Sequence, residues 1–194
     1  MGMFITTKKS AFDKFMVMML FAIPVFLVAC GGPQHMITKD VNAHLAIKPN
    51  KAVLVIGTTT SGLRAFDFYI DGKMIGQTKG KSFFITDVEP GMRYVMARAE
   101  KISTEKIKFE AGRIYFLAWD SRIAFAPLTL DEGLNMMSES DRVYLEYNIQ
   151  NPGKDLSQKD YQEAINVFAE EVRVDPKSHK KFLEYTGSGT RSRQ

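Results

Sequence analysis

From Ala52 to Trp119 short apolar or alternating runs are divided by turn residues, the pattern of a meander of antiparallel strands. Ala52 to Ile56 is a β-branched run of buried type. Phe66, Phe68 and Ile70 alternate with Asp67 and Tyr69 and so give a strand with two distinct faces. Asp71-Gly72 follows directly, a pair that supplies the positive φ angles of a tight hairpin. Met74 to Gln77 forms the return strand, Gly80 turns again, and Ser82 to Thr86 carries Phe83 and Ile85 on one face with Phe84 on the other. Pro90-Gly91 suits a type II turn. Arg93 to Ala99, Thr104 to Phe109 and Ile114 to Trp119 complete the set, with Glu110-Ala111-Gly112 between the last two. Strands of this number and spacing predict a mainly β fold, an antiparallel β-sandwich of about seven or more strands, or a partly open barrel.

Beyond Trp119 the period changes. Ile123, Phe125 and Leu128 to Leu130 suggest a further strand interrupted by Pro127, and Val143, Leu145, Tyr147 and Ile149 alternate with Tyr144, Glu146 and Asn148 as a two-faced strand. Asn151-Pro152-Gly153 breaks that pattern. Ser157 with Asp160 resembles a capping box, and Tyr161, Ala164, Ile165, Phe168 and Val172 fall on one face of a helix that runs to about Val174. A short second helix is expected around Ser178 to Tyr185. One or two C-terminal α-helices are therefore expected to pack on the sandwich. The helix signature Tyr161-x-Glu163-Ala164-Ile165-x-x-Phe168 resembles the second helix of a tetratricopeptide repeat, but no second copy accompanies it and a solenoid needs about three.

The N-terminal 29 residues follow another logic. Lys8, Lys9 and Lys14 precede an uncharged run from Phe15 to Val28, which is short for a membrane span and contains Pro24. It closes on Leu27-Val28-Ala29-Cys30, which resembles a bacterial lipobox and holds the single cysteine of the chain. The resemblance implies that Leu27, Val28 and Ala29 are recognised by a signal peptidase that cuts before Cys30. It also implies that Cys30 carries a covalent diacylglyceryl group and an N-acyl chain, and that no other cofactor is needed. Gly31, where an aspartate would favour inner-membrane retention, implies the outer membrane if the cell is Gram-negative. One acyl chain binds reversibly and two or more anchor stably.

These signals divide the chain into a lipoprotein signal peptide at 1–29, a lipidated tether at 30–50, a β-sandwich at 51–150, a helical segment at 151–186 and a disordered tail at 187–194. Loss of the leader removes Lys8, Lys9, Lys14 and Asp13, which lowers the formal net charge from +4 to +2. Basic and acidic residues are interleaved, so no nucleic acid partner is expected. With Cys30 lipidated no thiol remains for a disulfide, and stability must come from packing.

A wider resemblance rests on Ala52-Val53-Leu54-Val55-Ile56, Tyr69-Ile70-Asp71-Gly72-Lys73-Met74-Ile75-Gly76, Val88-Glu89-Pro90-Gly91 and Glu110-Ala111-Gly112-Arg113-Ile114-Tyr115-Phe116-Leu117. Together these resemble a domain-of-unknown-function family of small bacterial lipoproteins and, more distantly, PEGA and carboxypeptidase-regulatory-like sandwich modules. The likeness spans about residues 50 to 120. It implies no catalytic residues.

Candidate chemistry is sparse. His35, His44 and His179 are scattered without the paired spacing of a metal site, so no metal is expected. The chain lacks a G-x-S-x-G elbow, a Gly-rich phosphate loop and a helical His-Glu-x-x-His. Asp67 with Asp71, or Asp120 with Asp131, fit turn and solvent roles better than acid-base catalysis. Phe83, Phe84, Tyr115, Phe116 and Trp119 concentrate the aromatic residues. Either the C-terminal helices cover them, or Phe84, Tyr115 and Trp119 form an exposed surface for a glycan or a partner strand.

The expectation is a non-catalytic interaction or structural accessory, anchored by lipid in the bacterial cell envelope and facing the periplasm. Its partner would be an envelope protein. An envelope glycan or peptidoglycan binding module is the alternative, and an enzyme is the remaining class. The oligomeric state is not encoded in any pattern of the sequence.

Overall fold

The structure is a computed structural model that describes residues 33–39, 45–59, 64–120, 124–139 and 141–187. The expected leader, its expected recognition residues Leu27, Val28 and Ala29, the expected lipidation site Cys30 and the tail from residue 188 lie outside the described residues. No helix among the described residues is long and apolar enough to cross a membrane.

Ten strands and three helices are described: β1 (Met36–Lys39), β2 (Ala52–Thr58), β3 (Ala65–Ile70), β4 (Lys73–Lys79), β5 (Ser82–Val88), β6 (Gly91–Arg98), β7 (Ile102–Phe109), β8 (Ile114–Asp120), β9 (Ala124–Leu128), α1 (Leu130–Ser138), β10 (Val143–Tyr147), α2 (Gln158–Val174) and α3 (Pro176–Leu183). They form a mainly β fold of two sheets, one in the order β1-β10-β5-β2-β8-β9 and one in the order β4-β3-β6-β7. The hairpin at Asp71-Gly72 has φ values of +50° and +81°, as a type I′ turn demands. The Asp71 carboxylate accepts from Tyr94 N at 2.9 Å, which fastens the turn to β6.

Leu54, Ile56, Phe68, Phe84, Val95, Ile107, Phe109, Leu117 and Trp119 fill the space between the sheets. The alternate residues Val53, Val55, Phe83, Ile114 and Phe116 point to the other face of the larger sheet, where Met136 of α1 covers them. This double covering explains the continuous apolar run of β2, which lies between two neighbours and is buried at every position. β2 pairs in parallel with β8, and β10 in parallel with β5, whereas the other pairs are antiparallel. The mainly β sandwich with C-terminal helices predicted from the sequence is present, and the larger sheet adds two parallel pairs to it; parallel neighbours need long crossovers, and here the β2-to-β8 connection runs through β3–β7.

Two expectations are corrected. The segment 30–50, expected as a tether, contributes β1, which pairs with β10 from Met36↔Tyr147 to Lys39↔Tyr144 and buries Met36. Leu130 starts a helix rather than continuing a strand. The Thr129 hydroxyl caps Glu132 N while the Glu132 carboxylate accepts from Thr129 N, a reciprocal capping box that outweighs the apolar run before it. Pro127 sits in the edge strand β9, where a missing N–H does the least harm.

α2 and α3 both follow their sequence signals. Ser157 Oγ accepts from Asp160 N at 3.1 Å, and α2 lays Ala164 and Ile165 on Tyr69 and Met96 of the smaller sheet. α3 inserts Phe182 between the sheets at their flank. The following Tyr185 accepts from Phe116 N at 2.9 Å and donates to Leu128 O at 2.8 Å, linking the C-terminal segment to β8 and β9.

Candidate functional site

β7 is an edge strand of the smaller sheet and β9 an edge strand of the larger one, and the two edges lie against each other at one flank of the sandwich. α2 and α3 lie across that flank and leave a cleft of about 720 Å³. Strand alternation puts Glu105 on the face of β7 that also carries Ile107 and Phe109, both core residues. A carboxylate thus occupies an apolar register at the open end of the core.

Glu105 Oε2 lies 2.9 Å from His179 Nδ1 of α3. Burial pushes the Glu105 carboxyl up to about 7, against the pull of the His179 hydrogen bond and the Lys181 charge, with Glu171 adding repulsion. The His179 ring stands edge-on to Phe168 at 5.2 Å, which fixes its plane. Beside the pair Thr104 is buried, and its Oγ1 has no hydrogen-bond partner. At the rim Arg98 Nη2 meets Asp160 Oδ2 at 2.6 Å and holds that carboxyl below the usual range. Lys101, Glu163 and the half-exposed Val167 complete the walls.

Chemically, a carboxyl buried in this way can keep its proton near neutral pH and donate it in a hydrogen bond. The hydroxyl next to His179 in sequence, Ser178 Oγ, is bonded to the Asp175 carboxylate at the start of α3. Among the described residues no group of three or more His, Cys, Asp or Glu is placed to hold a metal ion. The arrangement is a cleft with charged walls and an ionisable floor.

The residues expected to form an aromatic surface are elsewhere. Phe84, Tyr115 and Trp119 are at most 2% exposed, so they are not a surface at all. Phe84 packs on Phe68 at 5.6 Å, and Trp119 packs on Phe66, Phe68 and Phe125. Tyr115 stacks edge-on with Phe109 and Tyr185, and its hydroxyl donates to Lys108 O at 3.1 Å. The physical reason is that the larger sheet is covered on both faces, by the second sheet and by α1. Tyr185 of the C-terminal segment does pack on Tyr115. Asp67 and Asp71 do not pair with each other: Asp67 accepts from Gln77 Nε2 at 2.6 Å and Asp71 from Arg93 Nη1 at 3.1 Å.

Glu105 had one sequence signal, a charge in the register of Ile107 and Phe109; His179, 74 positions away, had none. The two halves of the pair also differ in relationship to other proteins. A search of curated proteins finds no match. Residues 50–134, which include Glu105 and reach from the turn before β2 into α1 but leave out β1, β10, α2, α3 and His179, match the family described as protein of unknown function (DUF2846).

Proposed function

We propose that this protein is a lipid-anchored cell-envelope lipoprotein that acts without chemistry of its own, as an interaction or structural accessory facing the periplasm. The observation that carries the reading is Leu27-Val28-Ala29-Cys30 at the end of an uncharged run, with Pro33, the first residue of a separate folded unit, only three positions later. That unit builds its core without any cysteine, so consumption of the single thiol by lipid would cost it no internal contact. The outer membrane is the proposed destination in a Gram-negative cell, on the strength of Gly31.

The Glu105–His179 cleft is the proposed seat of an envelope protein partner. Its walls are charged and aliphatic, and its lining aromatics Phe125 and Phe182 are buried in the core. Glycan binding through stacked rings needs exposed aromatic faces, so the protein-partner reading is favoured over peptidoglycan.

Intact mass and membrane fractionation of the wild type beside Cys30→Ala in a Gram-negative host test the anchor. A mature mass that starts at acylated Cys30, with failed processing of the variant, is expected; an unprocessed wild type would overturn it. A soluble form beginning after Cys30 then tests the partner, with specific protein capture expected and sedimentation with peptidoglycan favouring the glycan reading.

A further inference from the structure

The start of β1 is fastened to the loop between β10 and α2. Asn148 N donates to His35 O at 2.9 Å, Asn151 Nδ2 donates to Gln34 O at 3.0 Å, and Gly153 sits close against Met74 and the His35 ring. Ile149 projects from this loop with 81% of its surface exposed, the most of any large apolar side chain among the described residues. Met74 N donates to Asp155 Oδ1 at 2.9 Å and so joins the segments that carry the exposed Lys73 and Lys154.

The chain from Cys30 to Pro33 spans three residues, a reach of about 10 Å at full extension. Gln34 and His35 follow at once, and they bond the Ile149 loop directly. A lipid on Cys30 therefore keeps this pole beside the bilayer, with no room for a distant tether. We propose that Ile149 enters the headgroup layer of the bilayer that holds the Cys30 lipids, with Lys73 and Lys154 against its phosphates. The proposal rests on the lipoprotein reading and adds an orientation to it.

Val174 supplies an internal control. α2 starts beside the same pole, where Leu156 N donates to Gly72 O at 2.8 Å, and its 17 residues carry the 71%-exposed Val174 away along the helix. The length of such a helix is about 25 Å. In the acylated lipoprotein the Cys30 sulfur is a thioether, so Ile149→Cys or Val174→Cys introduces a single free thiol.

Each variant, labelled with an environment-sensitive fluorophore, is reconstituted in vesicles of phosphatidylethanolamine and phosphatidylglycerol. The expected result is a blue-shifted probe at Ile149, quenched several-fold more by headgroup-proximal nitroxide lipids than the probe at Val174. Protein that floats with the vesicles while both probes stay equally aqueous would overturn the orientation and leave the anchor standing. Protein without the acyl mass that fails to float would overturn both.

Discussion

Glu105 Oε2 on the edge strand of the smaller sheet stands 2.9 Å from His179 Nδ1 on the last helix, and the pair is buried where the core opens to the cleft. The carboxyl ordinarily ionises near 4.5, and burial raises it to about 7. In that interval the folded state binds a proton that the unfolded state has lost. The stability due to this group is thus fully present below about pH 4.5 and is lost as pH rises through 7, by about 3 kcal/mol. Urea midpoints measured from pH 5 to pH 8 should fall for the wild type relative to Glu105→Gln, which keeps a hydrogen-bonding side chain without a charge. Parallel curves for the two proteins would show that burial does not shift this carboxyl.

Phe84→Ala and Trp119→Ala should each cost about 3 to 5 kcal/mol, because both side chains fill the space between the sheets. Trp119 is the single tryptophan, so the native protein should emit at short wavelength and resist acrylamide until it unfolds. Partner capture at a temperature where the variants remain folded should be unchanged. Binding lost with stability intact would restore an aromatic surface.

Gly133→Ala sets helix propensity against packing. The methyl group favours the helix by about 1 kcal/mol, but at this position it would overlap the Phe116 ring beneath α1. Overpacking of a buried contact costs about 1 to 3 kcal/mol, so the net change should be a lower melting temperature. A melting temperature at or above that of the wild type would mean that α1 moves off the sheet with ease.

Val167→Arg tests the cleft. Val167 is 47% exposed on α2 and lines the cleft without anchoring the helix, which Ala164 and Phe168 do. The longer side chain should fill the opening, abolish capture of the envelope partner and leave the urea midpoint within about 0.5 kcal/mol of the wild type. Undiminished capture would move the partner's seat to another surface.

Alternation marked β3, and short apolar runs between turn residues marked β4 to β8, to within a few residues, because the turns between them need residues that demand one conformation. β1 was invisible because only Met36 of its four residues is buried, and a single apolar position has no period. α1 was hidden for the opposite reason: the apolar residues before Leu130 suggested a strand, although Thr129 and Glu132 already had capping-box spacing. Parallel pairing left a trace in the unbroken apolar run of β2, but no local rule names its partner β8. The cleft was the least legible part, since it exists only where two sheet edges and two helices converge.

His35 and Asn151 are in hydrogen-bonded contact across 116 positions, and this separation sets the order in which the chain can fold. β1, made early, has no neighbour until β10 has been synthesised. Contacts of such sequence separation form late, after loop closure has been achieved elsewhere. The ladder from Met36 to Lys39 is therefore expected among the last contacts to form. Until it forms, the N-terminal strand is an open edge, and that interval is when a chaperone or protease finds the chain most accessible.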